Sequence, residues 1–167
     1  MPVSVEKYLR TRYEPDCDYV DGDLEDRNAG EFPHSEMMMQ ACTYLRMHSR
    51  GSRYIAVPIQ HIQVAPTRFR VADVCVTRLE KPMPQIFRTP PVIVIEILSP
   101  HDQAVKMQRK LDDYVKFGVP NVWLIDPEDR RAFIHTREGS TESMDLILRA
   151  RECDIVLPLP EVFAELQ

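Results

Sequence analysis

A chain of 167 residues, 44 % of them hydrophobic, is long enough for one domain with a substantial core and too short for two. A formal charge of -5 leaves no global basic field, so contact with nucleic acid would have to use local patches such as Arg46, Arg50 and Arg53, or Arg68 and Arg70. No apolar run approaches the ~20 residues of a membrane span. The start Met1-Pro2-Val3-Ser4 has no signal pattern, and Cys17, Cys42, Cys75 and Cys153 form no CxxC pair, which together point to a cytoplasmic protein with reduced thiols and no structural zinc.

In chain order, Ser4 is suited to cap a helix running to about Arg12, which Glu14-Pro15 ends. Residues 18–26 read as a hairpin, because Asp21-Gly22 supplies the positive backbone dihedrals of a tight turn. A longer helix is expected from about Pro33-His34-Ser35 to Ser49, with Met37, Met38, Ala41 and Leu45 facing inward. Beyond Gly51 the pattern changes to period two, and residues 54–57, 59–65 and 69–77 read as strands broken at Pro58 and Pro66. The apolar run 92–98, bracketed by prolines, reads as a strand buried on both faces. A helix from Asp102 to a glycine cap at Gly118 follows, then a strand over 121–126, an order that implies parallel neighbours. Residues 131–136 and 144–149 read as later strands and 161–166 as a short terminal helix. The expectation is a single α/β domain over 1–167, a mixed β-sheet core flanked by helices with an N-terminal helix and hairpin.

Two acids interrupt the apolar strands. Glu96 lies in Val92-Ile93-Val94-Ile95-Glu96-Ile97-Leu98, where an uncompensated carboxylate would cost several kcal/mol on the order-of-magnitude scale for a buried ion. Asp73 occupies the same position in the strand over 69–77, where alternation groups it with Val71 and Cys75 and sets Arg70, Ala72, Val74 and Val76 on the other face. If the strands are neighbours, the two carboxylates lie side by side on one face and need a cation between them. That cation is either a basic side chain, as at an ordinary strand end, or a divalent metal such as magnesium or manganese, which hard oxygen ligands suit. On the following helix, Met107, Leu111 and Tyr114 share the packed stripe and Lys110 lies at its margin, while Arg109, Asp112, Asp113 and Lys116 fall on the wet side. Lys110 is either directed at Glu96 or snorkels past the core edge.

The ordered set Asp18-Tyr19-Val20-Asp21-Gly22-Asp23-Leu24, His34, Val71-Ala72-Asp73-Val74, Pro91-Val92-Ile93-Val94-Ile95-Glu96-Ile97-Leu98-Ser99-Pro100, Lys110-Leu111-Asp112-Asp113-Tyr114 and Val122-Trp123-Leu124-Ile125-Asp126-Pro127 resembles the Uma-two family of restriction endonucleases, within the PD-(D/E)XK nuclease superfamily. The resemblance covers nearly the whole chain and implies a restriction-endonuclease-like fold. By it, Asp73 and Glu96 are metal-binding acids and Asp18 an early acid near the site. The superfamily lysine two residues after the second acid is replaced here by Leu98, and Lys110 matches the position from which similar nucleases supply it on the following helix. Ala72 stands where the pattern has proline, and Asp18 where relatives more often carry glutamate. His34 matches a histidine common in the family. It either contacts phosphate or assists a proton transfer, or it caps the helix or satisfies a buried neighbour. Tyr114 either packs on the sheet or touches substrate.

The resemblance implies a Mg2+- or Mn2+-dependent endonuclease hydrolysing phosphodiester bonds of nucleic acid, most readily DNA, with Asp73, Glu96 and Lys110 catalytic. The other reading is a non-catalytic nuclease-fold subunit that binds nucleic acid or protein, its acids neutralised by Lys110 or arginine. A homodimer is expected, because pairing would protect strand edges and join separated arginine clusters into one cleft.

Overall fold

The computed structural model describes residues 1–164. Helix α1 (Val5–Arg10) is capped by Ser4, whose hydroxyl accepts the Lys7 amide at 3.2 Å. Strands β1 (Cys17–Val20) and β2 (Asp23–Asp26) form the expected hairpin, with φ of 51° at Asp21 and 104° at Gly22 in its turn. Helix α2 (Phe32–His48) precedes the long antiparallel pair β3 (Tyr54–Ala65) and β4 (Arg68–Arg78). Strand β5 (Ile93–Ile97), helix α3 (Ala104–Phe117) and strand β6 (Asn121–Asp126) then make the crossover that sets β5 and β6 parallel. Gly118 ends α3 in the left-handed conformation, φ 105°, its N–H donating to the carbonyls of Tyr114 and Val115. Strands β7 (Arg131–Thr136) and β8 (Gly139–Glu142) extend the sheet, while β9 (Ile147–Arg149) and β10 (Val156–Pro158) pair separately before α4 (Leu159–Ala164).

The order β2-β1-β4-β5-β6-β7-β8, with β3 also on β4, gives an eight-stranded mixed sheet. Met37, Leu45, Ile93, Ile95, Trp123 and Phe163 pack together in the core that α2 and α4 cover. Val94, Leu111, Tyr114 and Val122 form a second core beneath α3. Tyr8, Tyr19 and Phe69 make a smaller aromatic cluster that anchors α1 to the hairpin.

Strand β3 runs along β4 from Arg68 to Arg78, so the two other partners of β4 must share its opposite edge. There β1 pairs at Arg68 and Phe69 and β5 at Val74 to Val76, leaving a fork at residues 70–73.

The structure departs from the sequence reading at four points. Pro58 does not break β3: it stands opposite Val74 on a strand that has β4 on one side only, and an edge strand tolerates a proline whose missing N–H would face away from the partner strand. Strict alternation along β4 fails at Asp73, since Ala72 packs beneath α3 whereas Val74 packs beneath α2, and the facing Ile59 has φ 48°. Strands β8 and β10 were not anticipated, being short and, for Gly139-Ser140-Thr141-Glu142, polar. The terminal helix starts earlier than residue 161, and residues 165–166 of the expected span lie outside the described residues.

A Cβ at Gly22 would meet the Pro2 side chain at 2.7 Å and would have to adopt a positive φ. Gly22→Ala is expected to destabilise the protein by about 1–3 kcal/mol in urea unfolding.

Candidate active site

Backbone polar groups that face the fork have no neighbouring strand to bond, and side chains take over that task. The Val71 N–H donates to Asp18 Oδ1 at 2.9 Å, and the Val71 carbonyl accepts from Lys110 Nζ at 2.9 Å. Across the fork, the Ile97 N–H donates to Asp73 Oδ2 at 2.9 Å. Asp18 comes from β1, Asp73 from β4 and Lys110 from α3, so three elements converge on the opening because its edge must be satisfied.

Extending the Val74–Ile95 register by one residue sets Glu96 across from Asp73. Glu96 is 1 % exposed. Its Oε1 accepts the Tyr114 hydroxyl at 2.7 Å and lies 3.2 Å from Lys110 Nζ, which also reaches Asp18 Oδ2 at 3.4 Å. Burial pushes the Glu96 carboxyl up to about 8, reinforced by the charges of Asp73 and Asp18 and only partly offset by Lys110 and Tyr114. Asp73 behaves oppositely. Burial acts to raise it too, but the His34 hydrogen bond and the charges of Lys110 and Arg27 hold its carboxyl far below the usual range. His34 Nε2 lies 3.1 Å from Asp73 Oδ2, and Arg27 Nη2 donates to Asp73 Oδ1 at 2.8 Å. Lys110 stays charged, its pKa raised by Asp18, Glu96 and Asp73 in spite of burial.

The sequence-chosen residues are brought together. Asp18, His34, Asp73, Glu96 and Lys110 line one cavity with about 60 Å³ of room for water-sized occupants. Tyr114 stands behind Glu96 in the core and does not line the cavity. His34 is buried against Asp73 at the first turn of α2 and makes no side-chain cap.

Sequence reasoning missed Arg27, Arg70 and Asp113. Arg70 is fully buried and reaches Asp18 Oδ2 at 3.2 Å, Glu25 Oε2 at 2.9 Å and Asp113 Oδ2 at 2.8 Å. The logic applied to Asp73 and Glu96, a charge inside an apolar strand, applies equally to Phe69-Arg70-Val71-Ala72 and would have found it. Asp113, expected on the wet face of α3, is buried because Arg68 and Arg70 both bond it. Arg68 and Arg70 are therefore committed internally and are not a free basic patch.

The sequence model of the Uma2 family, described as "Putative restriction endonuclease", matches residues 5–166. The chain belongs to the Uma2 family. A crystal structure of "a putative nuclease belonging to DUF820" from Anabaena variabilis ATCC 29413 aligns at 20 % identity and a TM-score of 0.87, covering 99 % of this chain and 100 % of that one. That likeness establishes the shared mixed-sheet fold. No curated protein matches the chain. No helix among the described residues is long and apolar enough to cross a membrane.

Among the described residues, no three His, Cys, Asp or Glu side chains are arranged as a ready-made cation cage. The reason is local: the Asp73 oxygens are occupied by Arg27, His34 and the Ile97 amide, and those of Asp18 by Arg70, Val71 and Lys110. The donor chemistry of this Uma2 site nevertheless suits a hard divalent ion, since carboxylate oxygens face a water-sized cavity whose Glu96 is under-neutralised. Asp73 and Glu96 would hold such an ion once Arg27 leaves Asp73.

The Glu96 shift sets a pH dependence. Its folded-state pKa of about 8 stands above the ordinary 4.5, so between these values the folded protein holds the extra proton and stability falls as pH rises. The slope contributed is at most about 1.4 kcal/mol per pH unit. Metal-free Glu96→Gln should gain stability relative to the parent from pH 5 to pH 9 in urea titrations; a pH-independent difference would contradict the assignment.

Proposed function

We propose that this Uma2 protein is a divalent-metal-dependent nuclease that hydrolyses phosphodiester bonds, with DNA as its substrate. The observation that carries the reading is the convergence of Asp73, Glu96 and Lys110 on one cavity at the strand fork. Asp73 and Glu96 would hold the ion. Magnesium or manganese, when bound, supplies Lewis acidity that polarises a phosphate oxygen and acidifies water. Lys110 is fixed by the Val71 carbonyl and two carboxylates, so its ammonium is pre-aimed at developing negative charge and can orient the attacking water without reorganising. Tyr114 orients the Glu96 carboxyl, His34 orients that of Asp73, and Asp18 carries the charge that keeps Lys110 protonated.

The free, mostly buried thiols fit a reducing compartment and so the cytoplasm. A homodimer would join two sites and their basic residues into one cleft, offsetting the net charge of -5. Light scattering at micromolar concentration tests it. The alternative, a non-catalytic nuclease-fold binding subunit, is favoured by one observation, the neutralisation of Asp73 by Arg27.

Cleavage assays on single- and double-stranded DNA and RNA with Mg2+, Mn2+ or chelator decide between them. The parent should cut DNA only with metal. Lys110→Met should lower kcat by about 10²–10³-fold while still binding Mn2+, whereas Glu96→Gln should lose Mn2+ binding. A parent inert on every substrate supports the binding subunit, and Lys110→Met cutting at the parental rate removes Lys110 from the chemistry.

A further inference from the structure

Arg70 is buried and Arg27 half-buried among the acids of the fork, and they are held in different ways. Arg70 contacts three carboxylates and projects from the centre of the sheet. Arg27 belongs to the irregular connection between β2 and α2, and of the five N–H donors of a guanidinium only one is bonded within the described residues, to Asp73 Oδ1 at 2.8 Å. Its side chain is 10 % exposed and lines the same cavity as Asp73, Glu96 and Lys110. It therefore sits as a single positive charge against the carboxylate that faces the cavity.

The segment that carries Arg27 closes over the site through exposed and part-buried polar bonds. Asn28 Nδ2 donates to the His101 carbonyl and to Asp102 Oδ1, both at 3.0 Å, and the Ser99 hydroxyl donates to Glu31 Oε2 at 2.9 Å. His101 Nε2 approaches Glu31 Oε1 at 3.5 Å. Thus residues 27–31 are clasped to the turn between β5 and α3 by polar contacts that water can replace, with no apolar anchor in the clasp.

We propose that Arg27 is a displaceable internal cation: it holds Asp73 in the metal-free protein, and a divalent ion enters by expelling it and opening the clasp of residues 27–31. The proposal rests on the metal-dependent reading of the site. Its physical basis is charge competition. Arg27 joins His34 and the Ile97 amide in satisfying Asp73, but a divalent ion beside Asp73 and Glu96 would leave Arg27 and Lys110 as like charges around it. The resting site is thereby spared carboxylate repulsion and is closed to substrate until metal arrives.

Calorimetric titration of Mn2+ into the full chain tests this on the parent, Arg27→Gln and Arg27→Lys. Arg27→Gln removes the competitor and should bind Mn2+ about tenfold or more tightly than the parent, while Arg27→Lys, which keeps the charge, should stay near the parent. Hydrogen exchange of the parent supplies a measurement independent of any variant: amides of residues 27–31 should exchange faster with saturating Mg2+ than with chelator. Equal or weaker Mn2+ binding by folded Arg27→Gln, or unchanged or slower exchange over 27–31 in a parent that binds metal, overturns the displacement while leaving the metal site intact. No Mn2+ binding by any of the three proteins overturns both the displacement and the metal-dependent reading.

Discussion

The polar backbone of β4 at the fork is the constraint on which the rest of the site depends. Each buried amide or carbonyl left without a partner costs about 1–3 kcal/mol, so the interval where β1 has left β4 and β5 has not yet joined must be filled by side chains. Asp18 and Lys110 do this at Val71, and Asp73 does the same for Ile97. These bonds draw charges into the protein interior. Once there, the charges must neutralise one another, and Arg27, His34, Arg70 and Tyr114 complete the set.

The resulting electrostatics are uneven. Asp73 is over-supplied with partners, whereas Glu96 shares Lys110 with Asp18 and is crowded by like charges. Burial and the supply of partners thus push two carboxyls of one cavity in opposite directions. Arg70 explains how such a pair can be tolerated, because with Asp113 and Glu25 it ties β4 to α3 and to the hairpin and fixes the walls of the opening. Under the proposed nuclease function, which Uma2 membership supports, such an acid pair has a chemical use.

Much of this was legible from the chain. Glu96 and Asp73 announce themselves because a carboxylate in a run of branched apolar residues demands a partner, and Lys110 follows from projecting α3 onto its packed stripe. The Asp21-Gly22 turn and the Gly118 cap are legible because their conformations restrict residue choice. Arg27 was not legible, since its role arises from a connection without periodicity and from a contact 46 residues away in sequence. Asp113 was misplaced because helical projection knows nothing of the two arginines that β4 presents to it. The break in alternation at Asp73 also escaped, because it coincides with a positive φ at Ile59, a residue type that gives no such signal.

Crystals grown without metal and soaked in Mn2+ would test the central claim most directly through anomalous scattering. The account predicts a single strong peak at the fork within coordination distance of both Asp73 and Glu96. Saturating Mn2+ that leaves the fork without a peak, with its carboxylates still paired to Arg27 and Lys110, would contradict it.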